Sequence, residues 1–160
     1  MVATDELRQF FERARQQGKI RAWGVSQDAG LEVDFARAFA PEGVSQLRSD
    51  LLNPSPRPAD LAFGVLERLY AVLSGGLLAD AWLAGYWRKV LQIDPLAPGV
   101  LTRLILGLAA SATGCRAILY STTDPRRVAE AARTVSSPLD AEILTRFRAL
   151  VEEFREEAAA

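Results

Sequence analysis

The 160 residues contain no histidine. Its absence excludes Ser–His–Asp or Cys–His nucleophile activation, imidazole metal ligands and imidazole proton transfer within this chain. Cys115 is the single cysteine, which excludes an internal disulfide framework and a cysteine-rich zinc site. Lysine is scarce as well: Lys19 and Lys89 are the only lysines among 19 basic residues. The remaining positive charge is arginine, which together with the many alanines reads as GC-rich coding bias. The 20 acidic residues bring the formal net charge to -1, and no basic stripe of the kind that marks a nucleic-acid footprint is visible. Long hydrophobic runs are missing too. The longest, Leu104 to Ala110, is too short to cross a bilayer, and Met1 to Phe10 is charged and has no apolar signal core. Neither a G-x-G-x-x-G nor a Walker A motif occurs. The expectation is a soluble, cytoplasmic protein with no metal, no membrane partner and no nucleic-acid partner.

What is present is the mix of an ordinary globular domain, 49% hydrophobic and 24% charged, at a length that fits one domain spanning 1–160. Leu7, Phe10, Phe11 and Ala14 recur at helical spacing, with Thr4 placed as N-cap and Gly18 as the stop. Ile20 to Ser26 reads as a strand, Leu31 to Ala40 as a helix, and Val44 to Leu52 as a second strand. The proline-rich run from Asn53 to Pro58 must be a loop, and Ala59 to Arg68 returns to helical spacing. Leu69 to Ser74 is a third strand candidate, and Leu77 to Pro98 reads as a long loop with a short helix. Gly99 to Ala112 is an apolar helix and Arg116 to Tyr120 a fourth strand. Asp124-Pro125 opens the next helix as N-cap and N1, and Ser137-Pro138-Leu139-Asp140 opens the last one as an S-x-x-D cap. Strands alternate with helices about four times, which argues an α/β fold with parallel strands and right-handed crossovers.

Four stretches resemble aldo-keto reductases, in the family's order. Gly18 to Gln27 (GKIRAWGVSQ) is similar to the family's GKIRAIGVSN strand, and Val44 to Leu47 to its NQVEYN strand. Ser74 to Leu78 is similar to PLAGGLL, and Ala117 to Val128 to VLIGTTNPEHL. The family fold is a (β/α)8 TIM barrel of about 250 residues. The resemblance covers only strands five to eight, so it implies half of such a barrel, with about four parallel strands, completed by a homodimer or by a partner chain. The family's catalytic aspartate, tyrosine, lysine and histidine belong to the other half and have no counterpart here, so ordinary carbonyl reduction by this chain alone is not expected. The resemblance implies an NADP(H)-binding half and places the nicotinamide carboxamide on Ser26, Gln27 and Gln46, with Gln27 where the family has asparagine. It places the cofactor phosphates on Ser121, Thr122, Arg126 and Arg127, beside Thr123. Ser121 stands for a family glycine, Ala131 for the asparagine that contacts adenine, and Arg48-Ser49 for a glutamate-tyrosine pair. Physical chemistry agrees with an anion site there, because free N–H groups and the positive dipole end gather at a helix N-terminus.

Other residues carry chemistry of their own. Gln46, Arg48 and Asp50 share one strand face, so they are either a polar site or an ion pair meeting a partner surface. Arg48, Asp50 and Tyr120 are the candidate catalytic groups, with Asp28 and Tyr86 as further acid, base or anion-holding groups if the pocket serves a cyclase, isomerase or dehydratase. Arg126 and Arg127 are either a phosphate clamp or a solvated helix turn. Trp82, Tyr86 and Trp87 are either an aromatic pocket wall or packing under a loop. Trp23 reads as core beneath helices. Cys115 has no base to activate it and reads as structural. A non-catalytic binding or assembly protein is the third class of function left open.

Overall fold

The computed structural model describes residues 2–28, 43–52, 59–112 and 114–159. Within them the chain runs α1 (Val2–Gln16), β1 (Gly24–Gln27), β2 (Val44–Arg48), β3 (Leu61–Phe63), α2 (Glu67–Ala79), α3 (Ala81–Leu91), α4 (Val100–Ala112), β4 (Ala117–Leu119), α5 (Pro125–Ser136) and α6 (Ala141–Ala159). The four strands form one parallel sheet in the order β1-β2-β3-β4. The protein is therefore mixed α/β, with four parallel strands and six helices among the described residues. The expected helix from Leu31 to Ala40 and the loop from Asn53 to Pro58 lie outside the described residues.

Alternation along each strand sorts the side chains onto two faces. In register, Gln27, Leu47, Ala62 and Ile118 share one face, while Ser26, Gln46, Leu61 and Ala117 share the other. The first face meets the helices: Ala62 belongs to the buried core, Ile118 packs against it, and Leu47 is buried. On the second face none of Val44, Leu61, Phe63 or Leu119 joins that core, and Leu119 is 43% exposed. The described helices thus cover one side of the sheet.

α4 is the hub of the helical layer. It touches α2, α5, α6 and β4, and it buries Leu101, Leu104, Ile105, Leu106, Leu108 and Ala109. A Cβ at Gly107 would lie 2.9 Å from a terminal methyl of Leu144 on α6, so a larger residue there would make that side chain shift. α3 and α6 meet through Trp87 and Phe147, packed edge to face at 6.0 Å and both fully buried.

The N-terminal edge of the sheet is tied by Asp60. Its Oδ2 accepts from the backbone N–H and the hydroxyl of Ser45, each at 3.0 Å, and its own N–H donates to Ser45 Oγ at 3.0 Å. Its carbonyl accepts from the N–H groups of Arg116 and Ala117, and Arg116 Nε lies 3.5 Å from Oδ1. One aspartate therefore joins the starts of β2, β3 and β4.

α1 ends in a Schellman motif at Gly18, with the Lys19 N–H donating to the Ala14 carbonyl, the Gly18 N–H to that of Arg15, and Gly18 at φ 69°. α1 docks through Trp23, which stacks on Phe11 at 5.3 Å and donates its indole N–H to Glu12 at 2.9 Å. That makes Trp23 a half-buried docking point for α1.

Several expectations are corrected. Ala59 to Arg68 is no helix, because Leu61–Phe63 forms β3, the third strand. Leu69 to Ser74 is no strand but part of α2, where Leu69, Leu73 and Leu77 are all buried, a helical spacing that outweighs the local strand propensity of Leu-Tyr-Ala-Val-Leu. Leu77 to Pro98 is mostly helical. Asp80 splits the run by capping α3, its Oδ1 accepting from the N–H groups of Trp82 and Leu83 at 2.8 and 3.0 Å. The last helix is capped by Asp140, which accepts from the Glu142 N–H at 2.7 Å, rather than by Ser137. Thr4 lies within α1, whose described span begins at Val2, so it is not the N-cap.

Replacing Phe147 with alanine empties a fully buried ring site and should lower stability by about 3–5 kcal/mol in chemical unfolding. Asp60→Ala should cost about 2 kcal/mol, roughly 4–8 °C in Tm for a chain of this size. Its Ser45 hydrogen bonds hold the Asp60 carboxyl below the usual range, helped by the nearby Arg116. The stabilisation is therefore present above the ordinary aspartate pKa of about 3.9 and is lost as pH falls through the lowered value. Melting curves of wild type and Asp60→Ala should converge on acidification, and a difference independent of pH would show that the carboxylate is not what ties the strands.

Candidate functional site at the carboxyl edge of the sheet

In parallel α/β sheets ligands bind beyond the carboxyl ends of the strands. Here that edge carries a connected set of charges. Arg48, at the end of β2, donates from Nε to Asp28 Oδ1 at 3.0 Å and from Nη1 to Glu67 Oε2 at 3.2 Å. Asp28 follows β1 directly, and Glu67 opens α2, where a carboxylate also suits the helix dipole. The Arg48 guanidinium lies 5.2 Å from the centre of the Phe63 ring, the residue beside it in register on β3. The Asp28 and Glu67 carboxylates raise its pKa above the ordinary arginine value. Next to it, Asp50 accepts from Arg68 Nη1 at 2.9 Å and from the Leu52 N–H at 2.9 Å.

Gly64 is built into this arrangement. It sits at φ 71°, a left-handed conformation that favours glycine, immediately after β3. A Cβ there would meet Arg48 Cγ at 3.3 Å and Nη1 at 3.4 Å. The turn and the arginine side chain share one space.

The structure brings Arg48, Asp50 and Asp28 to one edge and adds Glu67 and Arg68, which sequence reasoning did not single out. An acid and a base opening an uncapped helix just after a strand were the available sign. Ser26 and Gln46 are in register on adjacent strands, on the face that carries Arg48. Gln27 is buried on the opposite, helix-covered face. Tyr120 follows β4 on that helix-covered side and packs against the core, so it is not joined to Arg48 and Asp50.

At the start of α5, Asp124 is the N-cap, its Oδ1 accepting from the Arg126 N–H at 2.9 Å. Arg126 also turns its guanidinium back onto Asp124, at 3.3 and 3.2 Å. This pairing, with the backbone bond next and Arg127 nearby, holds the Asp124 carboxyl below the usual range. Thr122 Oγ1 accepts from the Asp124 N–H at 3.2 Å, Ser121 is exposed, and Arg127 is exposed on the first turn. The N-terminus that would face phosphate is thus already served by a carboxylate.

The aromatic trio divides. Trp87 is core, while Trp82 and Tyr86 stack at 5.8 Å on the outside of α3, with the Tyr86 hydroxyl 3.4 Å from Glu153. They belong to the helical layer and not to the sheet edge. Cys115 is half-buried and packs against the core. No group of three or more metal-ligating side chains occurs among the described residues, and no described helix is long and apolar enough to cross a membrane.

No family model, no curated protein and no solved structure matches the chain.

Gly64→Ala should lower stability by about 1–2 kcal/mol through the left-handed turn alone. Arg48→Gln should leave Tm within a degree or two, because the ion pairs it makes are half or more exposed to water. Thermal melts of both variants test this. A large loss in Arg48→Gln would make the cluster a fold determinant and not a surface available for binding.

Proposed function

We propose that this chain is an aldo-keto-reductase-like half barrel. It works as an oxidoreductase component that binds NADP(H) and acts with a second chain completing the barrel. The observation that carries the reading is the sheet itself. Four strands run parallel in sequential order, helices cover one face, and the other face presents Ser26, Gln46 and Arg48 toward the carboxyl edge. A barrel interior has this composition at the end where ligands bind.

The residues fit the cofactor at one end better than at the other. A serine hydroxyl and a glutamine amide in register on adjacent strands suit a carboxamide, which both donates and accepts. When bound, the cofactor would supply hydride chemistry. This chain's part is to orient the carboxamide through Ser26 and Gln46 and to receive the phosphates near Ser121, Thr122, Arg126 and Arg127. At that second end Asp124 opposes an anion, and Arg126 must leave it to meet one.

That capping carboxylate favours a second reading, in which the same pocket serves a non-redox cyclase, isomerase or dehydratase. Arg48 would then hold an anionic substrate group, with Asp28 and Glu67 as acid–base groups.

NADPH titration followed by energy transfer from Trp23, Trp82 and Trp87 separates the readings. Saturable transfer is expected, weakened about three- to tenfold by Gln46→Ala, the worth of one hydrogen bond. No transfer at millimolar cofactor, in the presence of whatever chain completes the barrel, overturns the first reading in favour of the second.

A further inference from the structure

The two outer strands of the sheet, β1 and β4, carry complementary surroundings. Beside β4 lies an apolar groove of about 550 Å³ between α4 and α5. Gly107, Ile118 and Tyr120 line it, together with Val128, Ala131 and Val135 of α5. Those two valines are 53% and 79% exposed, at a spacing of seven that keeps them on one helix face. At the other edge, α1 precedes β1 and is anchored to it through Phe11 and Trp23. Its next stripe, Leu7 and Phe10, is left 48% and 57% exposed.

We propose that the chain completing the barrel is a second copy of this one, which seats the Leu7–Phe10 stripe of its α1 in the groove between α4 and α5. The inference rests on the half-barrel reading above and specifies its partner. Three observations select this occupant. First, both halves of the joint are present in one chain at opposite sheet edges, so two copies can form two identical joints and close. Second, the contact continues the sheet, because β4 of one copy and β1 of the other would lie side by side and hide the two edges that invite aggregation.

Third, charge agrees with the direction of the helices. Phe11 stacks on Trp23, the residue just before β1, and Val128 and Ala131 of α5 line the groove together with Ile118 of β4. In the proposed joint the two helices run parallel, with their first turns adjacent. The first turn of α1 carries Asp5, followed by Glu6, and that of α5 carries Arg127, which is exposed, beside Arg126, which is paired with Asp124. Antiparallel packing would instead set the Arg13 and Arg15 of the last turn of α1 against those arginines.

Light scattering on purified chain, with circular dichroism to confirm folding, tests the joint. Wild type should elute at twice the chain mass. Phe10→Glu and Val135→Glu change exposed positions, so each should stay folded and run as a monomer. An equimolar mixture of the two should regain dimer, because one intact joint forms between the groove of the first and the α1 of the second. Independently, Glu6→Arg should weaken association by about two- to fivefold, and Arg127→Glu in the same chain should restore it. Wild-type dimer that survives both single substitutions overturns this joint while leaving barrel completion standing. A wild-type monomer at high concentration overturns the second copy as partner. Failure of the cofactor reading shows separately, in the NADPH titration.

Discussion

A parallel sheet is stable when both of its faces are buried, because its crossovers place helices against it and its backbone runs through the interior. Among the described residues, one face meets that requirement and the other does not. Ala62, Ile118 and Leu47 find an apolar layer, while Leu61, Phe63 and Leu119 share their face with Ser26, Gln46 and Arg48. Every other feature can be ordered by this imbalance. The helical layer must supply nearly all of the hydrophobic stabilisation, the sheet must be held together by something other than burial on both sides, and on the proposed reading the face the described helices leave uncovered is where ligand and partner are met.

The helical layer supplies its share through α4, whose buried leucines and small residues accept α2, α5, α6 and β4 at once. The strands themselves are only three to five residues long. Such short strands gain little from ladder hydrogen bonds and cross-strand pairs. Asp60 compensates at the N-terminal edge by satisfying donors from β2 and β4 while it leads into β3. The polar carboxyl edge is then free to carry Arg48 and its carboxylates, since the alignment of the strands no longer depends on what happens there.

The alternation of strand and helix was legible from the sequence because each relies on local signs. The glycine stop at Gly18, the Asp124-Pro125 helix start and the short β-prone run at Ala117 were all visible in a few residues. The stretch from Ala59 to Pro98 was not. There a three-residue strand precedes two helices separated by a single capping aspartate, and the strand-prone letters of Leu69 to Leu73 sit at the four-residue spacing that α2 buries. Tertiary packing decides that stretch, with Gly76 tolerated in mid-helix beside the Phe154 ring. At the site, the shared face of Gln46 and Arg48 followed from strand period alone. Glu67 and Arg68 were hidden because their role arises only once α2 begins directly after β3, and Tyr120 was misjoined because one residue of register places it on the other side of the sheet.

The charge cluster bears on what the bare face can accept. Asp28, Asp50 and Glu67 face Arg48 and Arg68, three acids against two bases. Each arginine is already paired, so covering this edge would not strand an arginine without a counter-ion, the costly outcome when ions are buried. The surplus is one negative charge. An anionic group entering here must displace Asp28 or Glu67 from Arg48, whereas the oxidised nicotinamide ring, which is cationic, would be matched as the cluster stands, with Ser26 and Gln46 two residues back on the same face. The phosphates of the same molecule would have to lie elsewhere, and the arginine-bearing first turn of α5, across the sheet beyond β4, is where the chain places positive charge. On the proposed reading the polarity of the face runs from acidic at β1 and β2 to basic beyond β4, the same direction as the charge along the cofactor.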